Sequence, residues 1–388
     1  MKIPFKKLFI LSIVLNLVLT IFIFPKNRAR VQVLAMKIFG VGTRETAPDY
    51  KDTVLVSEYY PNSQFESKDE RITKLPKFPV VETHGHIGGM FKTEPTKVNS
   101  DLTEFKIQKF INLSFTFGEE FVKLKKEYND PRIIHFSTFN WKRLGEEDAG
   151  KKILADLKQD IQNGTKGIKL WKNFGLNFKK RNGERLKMDD PILDEVFSEC
   201  EKNGLIISIH TADPPAFFTP IDEKNERYEE LLRHPEWSFH GEGFPSFKEV
   251  LMERERLFQK HPKLKFIALH FGELSHDLKE AGRLLRENPN VYFDIAARID
   301  ELGRHPNETR EFFIQWQDRI VFGVDGAPDK NKLEVYSRFL ETKDEYFDYY
   351  SKGKPRKGMW KIYGLGLPDS ILEKIYFKNA ESIYNFKS

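Results

Sequence analysis

Cysteine is almost missing from this chain. Cys200 is the single one in 388 residues, so no internal disulfide can staple the fold. Two signatures of common chemistry are missing as well. The chain has no glycine-rich phosphate loop and no Gly-x-Ser-x-Gly turn, which excludes phosphate-loop nucleotide binding and the serine-hydrolase elbow. No internal repeat is present. A charge excess is missing where it would matter. The formal net charge is +5, but the first 40 residues hold seven Lys and Arg and no acid; without those seven, the 63 basic residues fall to 56 against 58 acidic ones. A nearly neutral remainder has no basic field to gather nucleic acid, and no such partner is expected.

Long hydrophobic runs are scarce too, with one exception. Leu8 to Phe24 is broken only by Ser12, Asn16 and Thr20, and Lys2, Lys6 and Lys7 precede it. Its length is at the lower edge for spanning a bilayer. With no small-x-small cleavage site after it, residues 1–30 read as an uncleaved single-pass membrane anchor, with the catalytic domain on the extracytoplasmic side. Lys26, Arg28 and Arg30 beyond the run nearly balance the charge before it, so orientation is weakly set. Residues 31–79, with Pro48, Pro61 and Pro76, read as a linker, and 80–388 as the catalytic domain.

The informative stretch begins at Val80-Val81-Glu82-Thr83-His84-Gly85-His86, an apolar run ending in two histidines two residues apart. Side chains alternate faces along a strand, so His84 and His86 point the same way. Two imidazoles side by side can reach one cation at roughly 2.0–2.1 Å, which makes the pair half of a metal site. Two ordinary surface histidines would look identical, so the weight falls on the remaining candidate ligands. Three later apolar runs end in polar residues: Leu205 to His210, Phe266 to His270, and Ile320 to Asp325. Such continuous runs fit parallel strands buried on both faces. A His or Asp at the strand's C-terminal end suits a site better than a core.

The pattern predicts strands near 80–86, 107–114, 132–139, 167–171, 205–210, 265–271, 291–297 and 320–325. Helical stretches fall at 116–127, 146–162, 190–203, 246–260, 275–288, 308–316, 330–341 and 370–376, while 87–106 holds at most a short first helix. Alternating strands and helices imply parallel pairing and right-handed crossovers. Eight strands in this length point to an α/β fold, a (β/α)8 TIM barrel after the N-terminal segment. A doubly wound open sheet is the alternative, but it would not bring the first, fifth, sixth and eighth strand ends to one point.

The ordered set His84-x-His86, His210, His270 and Asp325 resembles the amidohydrolase superfamily, in its amidohydrolase-related, decarboxylase-like branch. The resemblance runs over about residues 78–386. It implies that His84, His86, His210 and Asp325 hold one divalent metal ion, zinc or alternatively manganese, and that His270 is a nearby base or a further ligand. It also implies mostly mononuclear chemistry. The residues agree: neutral imidazoles and one carboxylate leave an open position for water, whose pKa a metal can lower towards about 7. Asp325 could take that water's proton, and His270 could polarise the substrate or shuttle a proton.

Lys169 and Lys172, at the fourth strand end, are substrate-clamp candidates. If the strand runs through both they face opposite ways, so at most one looks inward; a carboxylated lysine bridging two metals is the other use. Arg298, after the seventh strand, is a third anion-binding candidate. Two long connections, Thr211 to about Ser246 and the stretch after Asp325, read as lids or binding loops whose aromatics mainly pack. The expected activity is metal-dependent hydrolysis of a small ester, lactone or amide. A metal-dependent decarboxylase is the first alternative and a non-catalytic ligand-binding barrel the second. A small-molecule substrate is the expected partner, and homo-oligomerisation stays open.

Overall fold

Eight parallel strands close into a barrel in the computed structural model, which describes residues 74–350 and 357–386 together with Ser12, Glu58, Tyr59 and Pro61. The strands are β1 Val80–Gly85, β2 Ile107–Leu113, β3 Ile133–Phe136, β4 Gly167–Leu170, β5 Ile206–Ile209, β6 Lys265–Ala268, β7 Val291–Asp294 and β8 Ile320–Val321. They pair in chain order as β1-β2-β3 and β4-β5-β6-β7-β8, all parallel. Single bridges join the two arcs at both seams, Ser137 to Ile168 and Gly85 to Gly326. At the second seam Thr83 N–H donates to Phe322 O at 3.0 Å and His86 N–H to Gly326 O at 3.0 Å. Closure is what brings the first and last strands, each carrying site residues, side by side.

Seven helices lie where the apolar periodicity puts them, Gly118–Glu127, Ala149–Gln162, Asp194–Lys202, Phe247–Lys260, Leu278–Glu287, Pro306–Gln315 and Lys330–Glu341, and the stretch 87–106, which the sequence left unclear, carries an eighth, Pro95–Glu104. Ser246, Asp277 and Asp329 cap three of them, each accepting from a backbone N–H three residues on. Ile207, Phe266, Ile267, Phe293 and Val321 are fully buried, as parallel strands covered on both faces require.

Two expectations change. The strands stop earlier than the apolar runs do, and β8 keeps only two residues of the expected six. Its continuation stays against β1 through Phe322 O and Gly326, and Asp325 stands there in the left-handed region with a φ of 63°. The end of the expected linker is also no free tether. Leu75 and Phe78 pack on the barrel core, and Lys77 N–H donates to Glu341 Oε1 at 2.9 Å.

The expected membrane location is corrected. Among the described residues no helix is long and apolar enough to cross a membrane. The run from Leu8 to Phe24 lies, but for Ser12, outside the described residues. The chain divides into two compact units, Met1–Asn62 and Ser63–Ser388, and the barrel belongs to the second.

Candidate metal centre

The C-terminal ends of β1, β6, β7 and β8 converge on one small space. His84, on β1, sends Nδ1–H to Asp294 Oδ2 at 2.6 Å, at the end of β7. His86, just past β1, meets Leu113 O through Nδ1 at 2.9 Å. His270, just past β6, meets Ala296 O through Nδ1 at 2.9 Å. A backbone carbonyl can only accept, so Nδ1 of His86 and of His270 carries the proton. In the neutral ring the other nitrogen, Nε2, then carries the lone pair. Three imidazoles thus spend their protons outward, the arrangement that orients histidines around a cation.

Asp325 closes the space. Its Oδ1 lies 3.2 Å from His86 Nε2 and 3.7 Å from His84 Nε2. Ligand atoms of His84, His270 and Asp325 lie within 4.8 Å of one another. The His84 and His270 rings are 4.8 Å apart between centroids, and His84 and His86 5.1 Å. Protonation favours ligation. Burial, with the Lys169 ammonium nearby, pushes His84 down to about 4, and burial also holds His270 well below its usual range. Burial works against the Asp325 charge, and it takes a positive charge on the His84 and His86 side to bring its carboxyl well below the ordinary range. Neutral nitrogens and an ionised oxygen are what a divalent ion takes without displacing protons. A second sign is that His86 Nε2 and both ring nitrogens of His210 are buried without a hydrogen-bond partner.

The structure places the fifth-strand histidine at the edge of this group. The His210 ring sits 4.2 Å from His270, but its Nε2 faces Asp213 at 3.5 Å and Glu273 at 3.7 Å. The two lysines separate because β4 ends at Leu170, so that Lys169 lies on the strand and Lys172 beyond it. Lys169 is fully buried, its Nζ 3.5 Å from His84 Nε2 and its cation over the Trp171 ring at 5.3 Å; burial lowers it to about 7. Lys172 turns away to pair with Asp213. Arg298 is buried with its guanidinium engaged by Glu273 at 2.6 and 2.7 Å, so it is not left open toward a ligand. His234 stacks on Trp237 at 4.0 Å and His240 is exposed, both away from the centre.

Four acidic residues that shape this region were not singled out from sequence. Asp294 takes the His84 proton and also accepts from His270 N–H at 2.5 Å, tying two histidines from different strands together. Glu82, two residues before His84, accepts from His84 N–H at 2.8 Å and Val324 N–H at 3.1 Å, and burial raises it to about 7. The other two are Asp213 and Glu273. Asp294 lies inside the apolar run Val291 to Ala297, as Glu82 lies inside the β1 run, and an acid within such a run was itself a signal.

The backbone around the centre is held in sparsely populated conformations. His270, Phe271, Glu273, Ala297 and Asp325 all have φ between 53° and 63°. Left-handed non-glycine residues cost of order 1–3 kcal/mol each and cluster where function over-determines them.

Residues 143–386 match the amidohydrolase family model. The chain belongs to the amidohydrolase family. No curated protein matches it. Among solved structures, 2,6-dihydroxybenzoate decarboxylase from Rhizobium is 14% identical, covering 79% of this chain and 98% of its own, with a TM-score of 0.50. An uncharacterised TIM-barrel protein from Bordetella bronchiseptica is 14% identical, covers 79% and 99%, and has a TM-score of 0.49. A dihydroxybenzoic acid decarboxylase from Polaromonas with bound manganese and an inhibitor is 12% identical, covers 76% and 86%, and has a TM-score of 0.48. Of these, the Rhizobium enzyme at 0.50 shows the shared barrel fold. As a member of the amidohydrolase family the chain is a metal-dependent enzyme.

Proposed function

We propose that this amidohydrolase is a metal-dependent hydrolase of a small ester, lactone or amide. One divalent ion, zinc or manganese, would be held by His84, His86, His210 and Asp325, with His270 as a base or further ligand. The observation that carries the proposal is the contact of His86 Nε2 with Asp325 Oδ1 at 3.2 Å. In its neutral form, with the Nδ1 proton committed to Leu113 O, the imidazole presents a lone pair there, and so does an ionised carboxylate. Two electron pairs facing each other in a buried space call for a cation between them. His84 Nε2 faces the same oxygen, and its depressed basicity disfavours a proton as that cation.

When bound, the ion would supply Lewis acidity at the reacting oxygen. The chain's own groups do the rest. Asp325 is ionised and is the group placed to accept a proton from attacking water. Asp294 fixes the tautomer and direction of His84, and through the His270 N–H it sets where that ring stands. Lys169, held near neutrality by burial, can bind an anionic substrate oxygen or exchange a proton with it.

A carboxy-lyase is the second reading. It is supported by the likeness to the Rhizobium decarboxylase fold and by Lys169, a buried cation suited to a substrate carboxylate. Product analysis separates the two. Incubation of the metal-replete chain in 18O-water with lactones and amides should place label in a new carboxylate. Release of carbon dioxide from aromatic carboxylates, with no label in the organic products of any of the three, would reject hydrolysis and leave the lyase.

A further inference from the structure

The end of the barrel opposite the metal centre carries a concavity of about 480 Å³, within the range of roughly 300–1,000 Å³ that small-molecule sites occupy. It opens among the N-terminal ends of β2 to β6. Ile134, Ile206, Leu264 and Ile383 give it an apolar lining. Tyr384 and Phe386, stacked at 5.4 Å, line it as well.

Four lysines surround this space, Lys109, Lys166, Lys263 and Lys265, against one acid, Glu201. Among the described residues none of the four lies within ion-pair distance of a carboxylate. Asp130 feels the Lys109 charge through space, but Arg132 already holds that carboxylate at 2.6 and 2.9 Å. Two of the ammonium groups are fixed by main-chain carbonyls. Lys109 Nζ donates to Pro131 O at 3.1 Å and Lys265 Nζ to Ile383 O at 2.9 Å. Each keeps its charge and two further N–H donors.

The ordinary use of a lysine on this face is to satisfy carbonyls at the end of the helix that leads into a strand. Other residues already do that here. Before β4, Lys125 Nζ donates to Asn163 O at 2.6 Å and Gly164 O at 3.5 Å. Before β5, Asn203 Nδ2 donates to Glu199 O at 2.8 Å. Before β6, Asn290 Nδ2 donates to Phe258 O, His261 O and Leu264 O, each at 3.1 Å. Lys166 and Lys263 are not needed there.

We propose that this concavity binds a compact oligophosphate, two or more linked phosphate groups that are either free or the end of a nucleotide. The donors set the class. Several ammonium groups around a small space suit a ligand with many negative charges in a short length, and lysine binds phosphate as a point charge. A lone carboxylate answers too few of them. The apolar lining leaves room for a flat group beside the phosphates, which separates a nucleotide from the free ion. Like charges gathered in a cleft with apolar walls also raise the local concentration of such an anion.

The test is titration calorimetry of inorganic triphosphate, ATP, orthophosphate and citrate on the full-length chain at physiological ionic strength. Triphosphate should bind at least about tenfold more tightly than orthophosphate, as one extra charge-assisted contact provides, and more tightly than citrate. Lys166→Gln together with Lys263→Gln should weaken triphosphate about tenfold or more. Both side chains are exposed with no ion pair to lose, so fold and metal content should stay as they are. Lys279→Gln, exposed in the first turn of the helix after β6 and so at the other end of the barrel, should change nothing. ATP binding tighter than triphosphate supports the nucleotide source, and the reverse supports the free oligophosphate. Triphosphate also chelates metal ions, so binding that the double lysine variant leaves untouched belongs to the metal centre and overturns the proposal. Equal affinity for orthophosphate, citrate and triphosphate, or an equal loss in Lys279→Gln, also overturns it, since either is a general effect of charge.

Discussion

Two clusters of the same residue types lie side by side at the mouth of the barrel, and they are not equivalent. His84, His270 and Asp325 form one; His210, Asp213 and Glu273 form the other. In the second, the carboxylates already have cations. Lys172 pairs with Asp213, and Arg298 with Glu273 at 2.6 Å. Although burial opposes it, His210 and Lys172 hold the Asp213 carboxyl below its usual range. In the first, the Asp325 side chain faces imidazole nitrogens, while Lys332 donates to the Asp325 main-chain carbonyl rather than to its carboxylate. Ligand-type residues within reach of each other are thus not enough. A dication gains most where the negative charge has no fixed partner, because it need not break an ion pair to enter.

The largest effect expected from this contrast is at the first-strand pair. His84→Ala together with His86→Ala should lose metal and activity in step, to background in both. Elemental analysis and turnover on the same preparation check it, and a double variant with full metal content would move the centre to the second cluster.

Asp325→Asn comes next. Asparagine keeps the shape and an oxygen, so the imidazoles can still hold the ion, but the proton acceptor is gone. Turnover should fall by roughly 10²–10⁴, with a smaller fall in bound metal. Near-normal turnover at full occupancy would transfer the base to His270.

The barrel was legible in the chain because its strands are buried on both faces and read as plain apolar runs. Ile320 to Asp325 shows both the strength and the limit of that signal. It located the eighth strand and the proposed ligand beyond it, yet ladder pairing with β7 covers only Ile320 and Val321, and the rest of the run is held against β1 through Phe322 O and Gly326. The ligand candidates were visible for the same reason that they are useful: a histidine at the end of an apolar run has no place in the core. Asp294 went unread because it lies inside an apolar run rather than at its end, and its part is to hold two histidines from other strands. The engagement of Arg298 by Glu273 was invisible, because it depends on how the loops after the paired strands β6 and β7 turn toward each other.

Asp294→Asn tests that hidden support. Asn keeps an acceptor for one contact but removes the charge that orients His84. Loss of such an outer carboxylate typically costs roughly 10–100-fold in metal affinity or activity. Competition with a chelator should show it, while the folded circular dichroism signal persists. An unchanged metal affinity would mean that the His84 ring is held by packing alone.

The smallest effect on metal should come from Asp213→Asn. Asp213 stands 3.5 Å from His210, near enough to look like a ligand-holding carboxylate, but its charge is already set against Lys172. Removing it leaves a half-buried ammonium without its counter-charge, a stability loss of about 1–3 kcal/mol by analogy with other unpaired buried groups. The metal-to-protein ratio should not move, because Asp213 is not among the proposed ligands His84, His86, His210 and Asp325. Urea unfolding and elemental analysis on one sample set read the two quantities independently. A loss of metal that matched the Asp294→Asn variant, with stability intact, would make Asp213 part of the centre.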